Sequence, residues 1–154
     1  MTLHLVCDVS GSMGEGGKPF IIRTLVTTIA QWASYGYGHA EITLWAWASE
    51  ARRITDWETK SEFPAELLSC AGTANSEALI QLLGGKPSGK VLLLTDGFWS
   101  RDDAKILKRW KEFLPSDTLR IIKIGADANP QLKGANIFTA EDLLAALDGW
   151  LEGA

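Results

Sequence analysis

The 154-residue sequence contains few cysteines and little net charge, and each shortage excludes a class of protein. Its two cysteines, Cys7 and Cys70, are too few for a disulfide scaffold, and Cys7 lies in an apolar run where a small buried side chain is expected. The formal net charge of −4 argues against nucleic-acid binding, which normally requires an excess of lysine and arginine. No apolar run is long enough to cross a bilayer. We therefore expect neither nucleic acid nor membrane as a partner.

What the sequence does contain is the composition of an ordinary globular protein, 46% hydrophobic and 22% charged. The first predicted strand begins almost directly after Met1, which leaves no room for a cleavable secretion signal. The sequence shows no repeat, linker or low-complexity tract. We therefore expect a cytoplasmic protein in which residues 1–154 form a single domain.

The hydrophobic pattern alternates between that of buried strands and that of amphipathic helices. Strands are predicted at 3–9, 40–49, 51–57, 90–97, 119–126 and 136–140. Helices are predicted at 19–35, 63–70, 75–85, 100–114 and 140–151. The break between the second and third strands is too short for a helical crossover, so these two should form an antiparallel hairpin. The pattern predicts a three-layer, Rossmann-like α/β fold: a doubly wound, mostly parallel sheet with one antiparallel edge strand and helices on both faces.

Caps and tryptophans refine this prediction. Ser100 followed by Asp103 is a capping-box pattern at the start of a helix. Thr139 and Asp142 are expected to cap the closing helix. Most of the tryptophans are expected in the core, on helical stripes or on one face of a strand: Trp32, Trp45, Trp47, Trp110 and Trp150.

Polar side chains follow the two most apolar strands. Asp8 ends the first, with Ser10 and Ser12 at alternate positions after it, and Asp96 ends the other. If these strands are neighbours, both carboxylates lie over the crevice where ligands bind in such sheets, and their repulsion favours a cation between them. Carboxylate and hydroxyl oxygens suit Mg²⁺ or Mn²⁺, and the lack of cysteine or histidine disfavours zinc. Alternatively, the first loop holds only turn formers and a helix cap.

Three short motifs resemble the metal-ion-dependent adhesion site (MIDAS) of von Willebrand factor A domains. They are DVSGSM, the GT of AGTANSEAL and the TDG of LLLTDG, in the order D-x-S-x-S, threonine, aspartate. The resemblance covers essentially the whole chain, and implies that the metal is held by Asp8, Ser10, Ser12, Thr73 and Asp96. It also implies that the serines and sometimes the threonine touch the metal directly, that the aspartates often act through water, and that an acidic side chain of a partner completes the octahedron.

The same resemblance implies a function. We expect a non-enzymatic adaptor of the compact intracellular prokaryotic type, which recruits a protein partner through Mg²⁺ or Mn²⁺ and the partner's Asp or Glu. Such relatives commonly work beside AAA+-type ATPases. Phe98 and Trp99 directly follow the TDG motif. They either stand on the rim of the crevice and contact the partner or fold back over the start of the next helix.

An enzymatic alternative uses the same site for Mg²⁺-dependent phosphoryl transfer or hydrolysis. It requires a nucleophile or general base beside the metal and a basic group for the phosphate, a part that Lys18 could play, but no base is evident. GSMGEGGKP does not have phosphate-loop spacing, because Ser12 stands where glycine is required. A serine-hydrolase elbow fails for a similar reason, and His4 and His39 are expected to be structural.

Overall fold

The computed structural model describes residues 1–35 and 40–151, so His39 lies outside the described residues. The described strands are β1 (Thr2–Asp8), β2 (Glu41–Trp47), β3 (Ala51–Arg53), β4 (Lys90–Thr95), β5 (Leu119–Lys123) and β6 (Ile137–Thr139). The described α-helices are α1 (Lys18–Ser34), α2 (Ser76–Leu83), α3 (Arg101–Phe113) and α4 (Leu143–Leu147). Short 3₁₀ segments occupy Gly11–Gly14, Ala65–Leu68 and Ala140–Asp142.

The strands form one six-stranded sheet in the order β3-β2-β1-β4-β5-β6. All neighbouring pairs are parallel except β2 and β3, which form the predicted antiparallel hairpin at one edge. From β1 the chain builds outward through β2 to β3, and from β4 it builds outward in the other direction. The order of the strands therefore reverses between β1 and β4, where a doubly wound sheet binds its ligands.

Alternate residues of the central strands are buried under different helices, which explains their continuous apolar runs. On one face, Leu5 of β1 and Leu94 of β4 pack with Ile22 of α1 and with residues of α4. On the other face, Val6 and Leu93 pack with residues of α2 and α3. The predicted α/β fold, with a mostly parallel sheet and helices on both faces, is confirmed.

The expected core tryptophans are in or against the core. Trp47, Trp110 and Trp150 are buried, while Trp32 and Trp45 are half-buried against it. Ser100 caps α3, since its hydroxyl accepts the Asp103 N–H at 3.0 Å. The Asp103 carboxylate accepts the Ser100 hydroxyl at 2.6 Å rather than the Ser100 backbone N–H, so the predicted capping box is only half formed. Cys7 is buried and Cys70 half-buried, both as free thiols. Within the described ranges, no helix has the length and apolar character to span a bilayer.

Two predicted helices are shorter than expected. The helix predicted at 140–151 is an α-helix only over Leu143–Leu147, because Asp148 is extended and Gly149 has a φ of 74°. Thr139 donates to the Asp142 carboxylate at 3.0 Å, but neither side chain caps a backbone N–H, so the predicted caps are wrong. The helix predicted at 63–70 is a single 3₁₀ segment between two extended residues, Pro64 and Ser69.

Candidate metal centre

Three loops converge at the carboxyl ends of β1 and β4. The first follows Asp8, the second runs from 69 to 75 ahead of α2, and the third follows Thr95. Two backbone hydrogen bonds join the first two loops: Gly11 N–H donates to the Gly72 carbonyl at 2.9 Å, and Ala71 N–H donates to the Val9 carbonyl at 2.9 Å. The segment that carries Thr73 is therefore fixed beside the segment that carries Ser10 and Ser12.

Asp8 is buried at the centre of these loops, with 1% of its surface exposed. Its Oδ1 accepts the backbone N–H of Ser10 at 2.9 Å and the hydroxyl of Ser10 at 2.6 Å. Its Oδ2 accepts the hydroxyl of Thr95 at 2.6 Å. Burial raises the pKa of the Asp8 carboxyl, these hydrogen bonds oppose the shift, and the nearby charge of Asp96 adds to it. The ionised carboxylate is thus costly here unless positive charge lies close to it.

Asp96 is fully buried beside the first loop. Its Oδ1 accepts the N–H of Phe98 at 3.1 Å, and its Oδ2 accepts from the ammonium of Lys18 at 3.1 Å. The residue after it, Gly97, has a φ of 76°, and a Cβ there would lie 2.7 Å from Leu132. The third loop therefore turns tightly at Gly97 and packs closely against the segment that follows β5.

Sequence reasoning raised Lys18 only as a phosphate-binding group of the enzymatic alternative and did not predict its buried contacts with the carboxylates of the site. Lys18 begins α1, is only 1% exposed, and donates to the Ser12 carbonyl at 3.2 Å and to Asp127 Oδ2 at 3.2 Å as well as to Asp96. Burial lowers the pKa of this ammonium, but its hydrogen bonds to the carboxylates of Asp96 and Asp127 outweigh burial and raise the pKa above the ordinary value. Lys18 is therefore a charged residue of the site, engaged by protein groups rather than free to meet a phosphate.

Thr95 is a second residue that sequence reasoning missed. It is fully buried, donates to Asp8, and accepts the N–H of Gly97 at 3.1 Å and the indole N–H of Trp99 at 3.2 Å. Trp99 also lies against Trp47, with ring centroids 6.2 Å apart. Thr95 therefore uses its hydroxyl to position the carboxylate of Asp8 and has no lone pair left for a metal.

The two aromatics that follow the TDG motif differ in their surroundings. Trp99 folds back against Trp47 of β2 and Thr95 of β4, whereas the second alternative raised by the sequence placed it over the start of the next helix. Phe98 is 46% exposed, and the Lys18 ammonium lies 5.7 Å from the centre of its ring. Of the two, Phe98 has the larger surface available to a partner.

The oxygen atoms around Asp8 fit a hard divalent cation. Because the Ser10 hydroxyl gives its proton to Asp8, its lone pairs are free to coordinate. Ser12 is half-buried and Thr73 is exposed, and neither hydroxyl makes a hydrogen bond within residues 1–35 and 40–151. Asp8 and Asp96 are two buried carboxyl groups opposed by one buried ammonium, so ionisation of both leaves the buried groups with net negative charge. In the described part of the chain, no three side chains of the His, Cys, Asp or Glu types form a metal-binding group, so hydroxyls must complete any ligand set.

Comparison with known proteins places the fold. By sequence, the chain matches no protein-family model and no curated protein. By structure, it is similar to an aerotolerance-related membrane protein from Bacteroides fragilis, with a TM-score of 0.61 and 12% identity over 98% of both chains. It is also similar to a von Willebrand factor type A protein from Catenulispora acidiphila, with a TM-score of 0.58, 17% identity, and coverage of 98% of this chain and 41% of that one. The chain has the von Willebrand factor type A fold.

A third similar structure is proximal thread matrix protein 1 from the mussel byssus, in a form whose MIDAS motif is occupied by zinc. The TM-score is 0.54 and the identity 15%, over 95% of this chain and 44% of that one. This chain thus spans less than half the length of the mussel and Catenulispora proteins. In this chain, the described MIDAS-like segments lie at the end of the sheet where the strand order reverses.

The described residues place no histidine among these loops. His4 bonds instead through Nε2 to the Ser88 carbonyl at 2.8 Å and through Nδ1 to the Thr43 hydroxyl at 2.8 Å. Ser88 precedes β4, so His4 lies toward the opposite end of the central strands from Asp96. These contacts join β1 to β2 and to the segment before β4, away from the candidate metal centre.

Proposed function

We propose that this chain is a metal-dependent protein-binding module. Its MIDAS holds Mg²⁺ or Mn²⁺ through Asp8, Ser10, Ser12, Thr73 and Asp96. The observation that carries the proposal is the pair of buried carboxyl groups, Asp8 and Asp96, faced by only one buried ammonium and bordered by hydroxyls with free lone pairs. When bound, the metal would supply an open coordination position for a carboxylate of the partner.

The residues of the proposed site have different roles. Ser10, Ser12 and Thr73 would contact the ion directly, while Asp8 and Asp96 supply charge and orient the hydroxyls and loops. The Thr95 hydroxyl donates to Asp8 Oδ2 and so fixes the orientation of the Asp8 carboxyl group. Phe98, half-exposed beside Lys18, would give the partner an apolar contact at the rim. The partner we propose is a protein that presents Asp or Glu, and the biological role is that of a cytoplasmic prokaryotic adaptor, beside an AAA+-type ATPase.

We do not propose the enzymatic alternative as a second function, because no specific observation favours it. Lys18, the candidate phosphate-binding group, already donates its three protons to Ser12, Asp96 and Asp127. Incubating the protein with Mg²⁺ and a panel of phosphate esters and nucleotides tests the enzymatic alternative. Turnover that is lost in Asp8→Ala would favour the enzyme.

The metal proposal is tested by titration calorimetry with Mg²⁺, Mn²⁺ and Zn²⁺. Thr73→Ala removes an exposed hydroxyl, so the fold should be retained while the affinity falls about tenfold or more, as expected for loss of a ligand. Thr55→Ala is the matched control, because Thr55 is also exposed but lies in the segment after β3. Equal affinities of the two variants would contradict the assignment of Thr73, and a wild-type protein that binds neither Mg²⁺ nor Mn²⁺ would contradict the proposed ion.

The adaptor proposal is tested by capture from lysate of the native host, with the protein immobilised in Mg²⁺ or in EDTA. We expect partners that are retained in Mg²⁺, released by EDTA and lost in Thr73→Ala, and that are still retained by Thr55→Ala. A set of captured proteins that is indifferent to both EDTA and Thr73→Ala would leave the metal without a role in binding.

A further inference from the structure

Lys18 is a buried ammonium in an unfavourable place. It is the first residue of α1, where the helix dipole presents its positive end, and 1% of it is exposed. Both the dipole and the loss of water disfavour a cation at this position. Its retention there requires compensation from groups of opposite charge.

The compensation comes from three separate segments. Lys18 Nζ donates to the Ser12 carbonyl in the first loop, to Asp96 in the third loop, and to Asp127 in the segment after β5, at 3.1–3.2 Å. These acceptors match the three protons of an ammonium. Asp127 itself is 65% exposed, so the ammonium also links the buried site to the surface.

The chain leaves room for this arrangement. Gly125 has a φ of 95°, and a Cβ on it would lie 2.8 Å from Lys18 Cε and 2.9 Å from Asp127 Oδ1. Any other residue would therefore press on both members of the ion pair. The stem of Lys18 is packed into place, rather than reaching the site from solvent.

We infer that Lys18 is an internal counter-cation of the candidate metal centre. It neutralises Asp96 and ties the loops together when no metal is bound, and it weakens the affinity of the centre for a divalent ion. The second effect rests on the proposed function, whereas the first concerns the protein without metal. Lys18 is a positioning residue here, since it contacts Asp96 and Ser12 rather than the ion.

The two effects have opposite signs when the charge is removed. Without metal, Lys18→Met leaves the Asp96 carboxylate buried and without its ion pair, which should destabilise the fold. With metal, the same substitution removes a positive charge that repels the ion at short range in a poorly solvated site. We expect Mg²⁺ to bind Lys18→Met about tenfold more tightly or better. A purely structural role would give the opposite result, because loosened loops bind metal less well.

The experiment measures urea unfolding in EDTA and calorimetric titration with Mg²⁺ and Mn²⁺ on wild type, Lys18→Met and Lys108→Met. Lys108 is an exposed lysine of α3, so its variant controls for the loss of one positive charge and should match wild type in both assays. For Lys18→Met we expect a lower urea midpoint in EDTA together with a higher metal affinity. If that variant does not fold, the titration is made with Lys18→Gln, which also removes the charge but keeps an N–H donor on the side chain.

The outcomes separate this inference from the proposed function. Metal affinity that is unchanged within twofold, or weaker, in Lys18→Met overturns the inference and leaves the metal centre standing. A midpoint in EDTA equal to that of wild type overturns the role in holding the loops together. If neither wild type nor the Lys18 variants bind metal, the proposed function fails and the effect on affinity fails with it.

Discussion

Thr95→Val tests the buried hydrogen bonds at the centre of the site most directly. Valine has nearly the shape of threonine but lacks the hydroxyl, which donates to Asp8 at 2.6 Å and accepts from Gly97 at 3.1 Å and from Trp99 at 3.2 Å. A buried polar group that loses its partner costs about 1–3 kcal/mol, and one of the three groups here is a carboxylate. Because Trp99 is only half-buried, we expect a total loss of about 4 kcal/mol. For a protein of this size, this corresponds to a fall in Tm of roughly 8–16 °C.

The control is Thr118→Val. Thr118 is also buried, but its hydroxyl donates to a single acceptor, the Pro115 carbonyl, at 2.7 Å. Its replacement should cost about 1 kcal/mol. Both variants would be unfolded in urea with EDTA present and followed by far-ultraviolet circular dichroism. A loss at Thr95 no greater than that at Thr118 would refute the assignment of Thr95 as the group that holds Asp8.

Three further substitutions test neighbouring parts of the account. Asp103→Asn should cost about 1–2 kcal/mol at neutral pH, because this carboxylate accepts from Ser76 and Ser100. Burial raises the pKa of Asp103, but these hydrogen bonds outweigh burial and hold the pKa below its usual value. The stabilisation is therefore lost as the pH falls through that lowered pKa, and urea midpoints that differ as much in strong acid as at neutral pH would contradict this reasoning. Trp99→Phe keeps a ring in place but loses the N–H donor to Thr95, so its free energy of unfolding should fall by about 1 kcal/mol; no change would indicate that this hydrogen bond contributes nothing. Mg²⁺ should raise the Tm of wild type and leave that of Asp8→Ala unchanged, and an equal rise in both would place the binding elsewhere.

The fold was predictable because its signals are local and strong. The apolar runs of β1 and β4 are typical of strands covered on both faces, and they lie side by side at the centre of the sheet. That adjacency brings Asp8 and Asp96 together, as expected if the strands were neighbours. The N-cap hydrogen bond of Ser100 likewise depends on residues only three positions apart. Thr73 could be placed beside the first loop only by resemblance, since the hydrogen bond from Gly11 to Gly72 joins distant segments.

The remaining features of the site depend on contacts that the sequence does not encode locally. A lysine in a glycine-rich segment is ordinarily solvated, and only the fold brings Asp96 and Asp127 to Lys18. Thr95 ends an apolar run and could have been taken simply as the last residue of a strand. Its position directly before a strand-end aspartate, level with Asp8 on the neighbouring strand, is the signal that could have revealed it.

The length of the closing helix was overestimated for a different reason. The apolar spacing of 140–151 continues to Trp150 and Leu151, which are indeed buried. However, Gly149 adopts a positive φ and the helix ends at Leu147. Glycine near the end of a periodic run is a helix stop signal, and here it outweighs the periodicity.

The central claim is that oxygens from three loops hold one divalent cation where the strand order reverses. The most direct test is the anomalous scattering of manganese in crystals of the protein grown or soaked with Mn²⁺. We expect one strong peak coordinated by Ser10 and Ser12, with Thr73 and Asp96 around it and Lys18 still bonded to Asp127. Crystals in which this crevice has no peak, or in which Thr73 lies far from the two serines, would contradict it.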